Sequence, residues 1–302
     1  MRIIDMLNLR VNPIYKQETR VSSRSFRLPL IILLFNTVLA VMALLNMYSM
    51  IAQVQRTAEI QYSSFVGLYI FVAMVEFVLL LFITPALTAG TISGERERQT
   101  LNMLLTTHMT PLDIVLGKLG ASLSNILLMI VSSFPILALG FIYGGVTLLD
   151  ILRLVICYSM TALLVGCIGI CCSAVFRKST IATVVSYCVM MILVVGTVVI
   201  NHMVSVFQRT LSLSGSYDSG ACLYMLLFNP AATFPAVLES QMGGYSSLDV
   251  ILPWATVAPE NLITDHWLVC SLLAQALLSG ILLWIAVRNV EPYRRKKMKH
   301  KG

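Results

Sequence analysis

The chain has 302 residues, 58% of them hydrophobic and 12% charged, with a mean hydropathy of +0.85. Soluble domains carry roughly a quarter of their residues as charges, so the composition excludes a water-soluble globular fold and specifies an integral membrane protein. On such a chain a net charge of +7 reports topology and contact with anionic lipid, not nucleic acid.

The first 27 residues carry Arg2, Arg10, Lys16, Arg20, Arg24 and Arg27 but no compact apolar core with a small-residue cleavage site, so they do not read as a cleavable signal. They predict a helix on the inner membrane surface. Asn12 is its cap and Pro13 its first residue; Arg20, Arg24 and Arg27 face anionic headgroups, and Ile14 and Val21 form a thin apolar face. Six apolar runs follow, at Leu28–Ile51, Phe65–Thr88, Leu119–Ile142, Ile151–Phe176, Ile181–Ile200 and Trp267–Val287. Each meets the ~20 residues needed to cross the hydrocarbon core. They are continuous, not alternating, which excludes a closed barrel. The fold class is all-α: a polytopic membrane protein of six transmembrane helices with both termini cytoplasmic. With the N-terminus inside, only Arg56, Arg153 and Arg209 of the 21 Lys and Arg fall outside, as the positive-inside rule requires.

Segment 1–27 is thus interfacial, 28–287 is the transmembrane domain with an outside segment at 201–266, and 288–302 is a basic cytoplasmic tail. In the outside segment, "ACLYMLLFNPAATFPAVL" is interrupted at Asn229-Pro230 and again at Pro235. Proline stops or bends a helix, so short interfacial or re-entrant helices are expected there. The tail, "RRKKMKHKG", is a topology anchor or a lipid-binding segment.

Of the seven cysteines, six lie in apolar runs, where a thiol packs as a small hydrophobe. Cys171-Cys172 lacks the spacer of a redox or zinc knuckle. His108 and His202 lie at span ends without metal-ligand spacing. Glu76 stands near the middle of span two, where an ionisable group is costly and usually faces a cavity or a partner. Asn36, Asn46 and Asn125 are candidate partners by depth. Either Glu76 lines a translocation path or dimer contact, or it is a neutral, hydrogen-bonded acid that holds helices together. In the second case Glu76→Leu should lower stability.

Between spans two and three lies a charged segment, Glu95, Arg96, Glu97 and Arg98, followed by Leu101, Leu104 and Leu105 on one helix face. Glu95 and Glu97 fall early in that helix, where the macrodipole favours acid. Thr110-Pro111-Leu112-Asp113 then starts the next helix, with a cap, a first-position proline and an acid at the third position. Lys118 follows about two turns along.

"ISGERERQTLNMLLTTHMTPLDIVLGKL" resembles the cytoplasmic loop of type-2 ATP-binding-cassette (ABC) exporter permeases. Ile92, Glu95, Arg96, Glu97, Thr100, Leu101, Leu104, Leu105, Pro111, Gly117 and Lys118 match that pattern, whereas Gln99 stands where glycine is usual. "NPIYKQETR" is similar to the family's segment before the first span, and "FRKSTIATVVSY" to its turn between spans four and five. The resemblance implies a permease subunit, an exporter working as a homo- or heterodimer in the cell (plasma) membrane over separate cytoplasmic ATPase subunits. The loop would be the coupling helix that docks on the ATPase through Glu95, Arg96, Glu97, Arg98, Thr100, Leu101, Leu104 and Leu105. ATP would be bound by the partner, with no cofactor on this chain. "LGKLGAS" has the Gly-Lys of a phosphate-binding loop but not the loop itself. Among competing classes, intramembrane proteases lack their motifs here. A secondary carrier would show midplane charges and helix breaks in paired halves; Glu76 and Pro135 occur without a repeat.

Overall fold

The computed structural model of the protein describes residues 13–57, 63–100, 110–138, 147–211, 224–242 and 266–290. No strand occurs among them, and six helical stretches are long and apolar enough to cross a membrane. Lipid offers backbone groups no hydrogen bonds, so a continuous apolar run must close its own i→i−4 ladder. The helices are α1 (Pro13–Arg24), α2 (Arg27–Thr57), α3 (Ser63–Thr88), α4 (Ser93–Glu97), α5 (Pro111–Ser132), α6 (Leu148–Val175), α7 (Ser179–Met191), α8 (Thr197–Leu211), α9 (Pro230–Met242) and α10 (Trp267–Val290). A π turn, Ile192–Gly196, joins α7 to α8, and a 3₁₀ turn, Tyr224–Phe228, precedes α9.

Helix α6 is the hub, with α3, α5, α7, α9 and α10 packed on it. Small residues permit this, because helices in lipid associate by close approach more than by expelling water. A Cβ on Gly169 would collide with the Thr88 hydroxyl and lie 2.9 Å from Thr88 Cβ, so glycine lets the end of α3 rest on α6. Further along the hub, Phe77, Tyr158 and Phe234 stack, with Phe77 and Phe234 centroids 4.3 Å apart. Lipid-facing sides remain apolar and open, as at Leu33, Leu44 and Leu45 of α2 and Leu277 of α10.

Helix α5 starts as its sequence dictates. Thr110 Oγ1 accepts from the Asp113 N–H at 3.2 Å, and the Asp113 carboxylate accepts from the Thr110 N–H at 3.2 Å. Thr147 and Asp150 close the same box on α6. Helix α5 breaks at Ser133, two residues before Pro135, whose missing N–H cannot bond Val131. The chain resumes as a helical turn in which the Ile136 and Leu137 N–H groups bond the Ser133 carbonyl at 2.9 and 3.1 Å.

Three expectations need correction. The helix of span five does not end at Ile200: the membrane-competent stretch is Ser179–Val204, and the helix runs on through the π turn to Leu211. The Val194 carbonyl within that turn accepts from Asn229 Nδ2 at 2.9 Å, while Asn229 Oδ1 caps α9 through the Ala231 N–H at 2.8 Å. Second, Pro235 does not interrupt α9. It lies in the second turn, where it forgoes the single bond to the Ala231 carbonyl. Helix α9 instead packs against both α6 and α10, and its Thr233 meets Ser271 and Gln275 in a buried network. Third, α1 is not held by an apolar face of Ile14 and Val21. Ile14 is buried but Val21 is 61% exposed. The face against α5 is largely polar, with Glu18 on Lys118 and Ser22 on Asn125, and the Tyr15 ring sits over Gly120. Asn12, Cys222, the basic tail and Leu101, Leu104 and Leu105 lie outside the described residues.

Candidate functional site

The chain leaves α3 at Thr88, turns through residues 89–92 and forms the five-residue α4. Helix α4 has no side-chain cap of its own. Ser173 of α6, one turn beyond Gly169, supplies it: its Oγ accepts from the N–H groups of Ile92 and Ser93, both at 2.9 Å. The Ser173 hydroxyl donates to Ser93 Oγ at 3.2 Å, and Ser93 donates to the Ala89 carbonyl at 3.1 Å. Two of the orphan donors that any helix start exposes are thus satisfied from a neighbouring span.

The end of α4 is equally defined. Gln99 has φ 58°, in the left-handed region. The Gln99 N–H bonds the Arg96 carbonyl at 3.1 Å and the Thr100 N–H bonds the Glu95 carbonyl at 3.0 Å, the paired bonds of a Schellman stop. A glycine at this position would take φ > 0 without a Cβ clash. The expected helix through Leu105 therefore stops at Glu97.

Of the predicted loop charges, two bond to neighbouring helices, Glu95 from a half-buried position and Glu97 from an exposed one. Glu95 Oε1 accepts from Lys118 Nζ at 2.7 Å, and the same ammonium donates to Glu18 Oε1 of α1 at 3.0 Å. Lys118 is only 4% exposed. Glu97 takes the N–H of Ser179 at 3.1 Å on one oxygen and its hydroxyl at 2.7 Å on the other. Ser179 is the first residue of α7, whose own N-cap, Lys178, makes no side-chain cap. A carboxylate at that helix start meets both the free N–H and the positive end of the dipole. Arg96 is half-buried, and Arg98, Gln99 and Thr100 are exposed. Sequence reasoning alone does not assign Glu18, Lys118, Ser173 and Ser179 to the site. The small-residue spacing Gly169-x3-Ser173 is a packing signal that could have found Ser173.

The membrane-depth group is divided by the fold. Glu76 is fully buried, and its Oε1 accepts from the Ser133 hydroxyl, while Oε2 has no hydrogen-bond partner among the described residues. Asn36 Nδ2 donates to Ser132 Oγ at 2.9 Å and to the Ile32 carbonyl at 3.0 Å. Glu76 and Asn36 thus meet successive serines at the break in α5 without touching each other. Asn125 joins neither; its Nδ2 donates to Ser22 Oγ of α1 at 3.2 Å. Among the described residues no three His, Cys, Asp or Glu side chains gather as metal ligands.

Six spans around a small-residue hub, with a sharply capped charged turn between the second and third, agree with one comparison. The chain matches the family described as ABC-2 family transporter protein over residues 12–281. It belongs to the ABC-2 transporter family. A comparison with curated protein sequences gives no match. As an ABC-2 permease the chain is a multi-pass membrane subunit of an ABC transporter, a transport component that associates with ABC ATPases.

Proposed function

We propose that the chain is an exporter permease of the plasma membrane. Two such subunits, alike or unlike, form the translocation path, and a separate cytoplasmic ATPase binds ATP and docks on the loop after α3. What supports this most is the way α4 is fastened: Ser173 ties it to α6, Glu97 to α7, and Glu95 through Lys118 to α5 and α1. A loop that merely joined two spans would need none of these bonds. In this reading Glu95 and Glu97 hold the coupling turn to the body, with half-buried Arg96 between them. Exposed Arg98 and Thr100, with Leu101, Leu104 and Leu105 beyond, meet the ATPase. Glu76 and Asn36 border the path at the serine pair where α5 breaks, whereas Asn125 holds α1.

The test separates docking from transmission. The permease is co-purified with its ATPase and reconstituted in liposomes. Arg98→Glu should lose the ATPase in a pull-down. Glu97→Gln should retain it but abolish the permease's effect on the rate of ATP hydrolysis. Normal binding by the first variant together with normal regulation by the second would remove the coupling role from this segment.

A further inference from the structure

A crevice of about 320 Å³ opens where α1, the start of α2, the end of α3 and α5 converge. Its lining mixes two kinds of group: Glu18, Ser22, Lys118, Ser122 and Asn125 are polar, and Leu28, Ile31 and Leu87 are apolar. Such a mixture, placed where a short polar helix meets three spans, suits an amphiphile.

Two buried polar groups in the crevice keep donor capacity to spare. Ser122 is 7% exposed, and its hydroxyl has no partner among the described residues. The Lys118 ammonium carries three N–H groups, of which two reach Glu18 and Glu95. The charges that line the crevice then select the ligand. Glu18 and Lys118 are its charged lining residues, one of each sign, and Glu18, 41% exposed, is the accessible acceptor. A headgroup that is only anionic brings no cation for Glu18. A choline headgroup brings positive charge but no N–H. A primary ammonium brings both, and charge-assisted bonds are the strong ones.

We propose that this crevice binds the headgroup of a zwitterionic, primary-amine phospholipid from the leaflet on the α1 side. The ammonium donates to Glu18, and the phosphodiester oxygens accept from Lys118 and Ser122. The volume fits a headgroup and not acyl chains, which run along Leu28 and Ile31 into the bilayer. The proposal does not depend on transport direction or on ATPase docking.

The full chain, purified in detergent, is given equimolar phosphatidylethanolamine, phosphatidylcholine and phosphatidylglycerol, and retained lipid is read by native mass spectrometry. Wild type should retain the ethanolamine lipid about tenfold over the other two, the size of one charge-assisted contact. Glu18→Gln and the crevice-filling Ser122→Leu should each bring the three lipids to near parity. Millimolar soluble phosphoethanolamine should not displace the bound lipid. Thermal melts confirm folding, and if Glu18→Gln unfolds, Ser122→Leu decides. Equal retention by wild type, no retention, a preference that survives a folded variant, or displacement by the soluble amine would each overturn the assignment.

Discussion

Replacing Lys118 with methionine keeps the length and the apolar stem of the side chain but removes the charge that Glu18 and Glu95 share. Breaking a buried ion pair by deleting one partner costs about 3–5 kcal/mol, because the remaining charge is left uncompensated. Here the cation is 4% exposed, but its partners are 41% and 22% exposed. Water can therefore resolvate the carboxylates in part, and exposed pairs are worth about 1 kcal/mol or less. The intermediate case gives about 2 kcal/mol, or a fall of roughly 3 °C in melting temperature. The assay is thermal unfolding in detergent, repeated with Glu95→Gln and with both changes together. Since the two residues are in contact, their effects should not add: Glu95→Gln should hurt the wild type more than it hurts Lys118→Met. A wild-type melting temperature for Lys118→Met, or strict additivity in the cycle, would refute the claim that this lysine fastens α4 and α1 to α5.

Gln99→Gly should slow amide hydrogen exchange at Thr100, because it removes a left-handed strain of about 1 kcal/mol from a residue with a Cβ. Gly169→Ala should destabilise by about 1–3 kcal/mol through collision with Thr88. Gly166→Ala, whose nearest contact would be an ordinary 3.4 Å to Leu119, should be close to neutral in the same melts. Asn229→Ala deletes a helix cap and a bond to the π turn together and should cost about 1–3 kcal/mol, read as lost thermal stability. Glu76→Leu should melt at or above the wild-type temperature, against the expectation from sequence. The carboxyl has one bonded oxygen and one bare one, and Ser133 keeps the Ile130 carbonyl at 2.8 Å as a partner. A drop of several degrees would show that Glu76 is structural after all.

Hydropathy and cap chemistry made much of the architecture legible. Six apolar runs marked six spans, and Thr-Pro-Leu-Asp marked the start of α5 to the residue, because a capping box is a local device written within four positions. The box at Thr147 uses the same residues and could have been read the same way. What was hidden depends on partners far away in the chain. Helix α1 shows little apolar surface because its inward face answers Lys118 and Asn125, about a hundred residues later. Hydropathy records that Glu18 and Glu97 are polar, not that they bond to Lys118 and Ser179 of other helices. Asn36 and Asn125 were grouped with Glu76 by depth, but depth does not fix rotation about a helix axis. The Glu76 partner was the serine beside a proline break. The π turn has no local signal at all; its bonds come from Asn229, 35 residues on from Val194.

The placement of the two glutamates also changes what a push on α4 would move. With the charges in a docking groove, a force on the loop would reach only the spans joined to it by chain, α3 and α5. In the structure the link from α3 is the short turn 89–92, itself hydrogen-bonded back to Pro85 and Thr88 of α3, so little displacement is lost there. From α4 the load then divides through side chains, to α6 at Ser173, to α7 at Glu97, and to α5 and α1 at Lys118. Helix α6 is the hub on which α9 and α10 also rest. Packed elements transmit displacement because close-packed interiors compress poorly. A motion entering at α4 would thus reach the hub directly at Ser173, and travel along α6 to α9, which meets it at Tyr158 and Asp150.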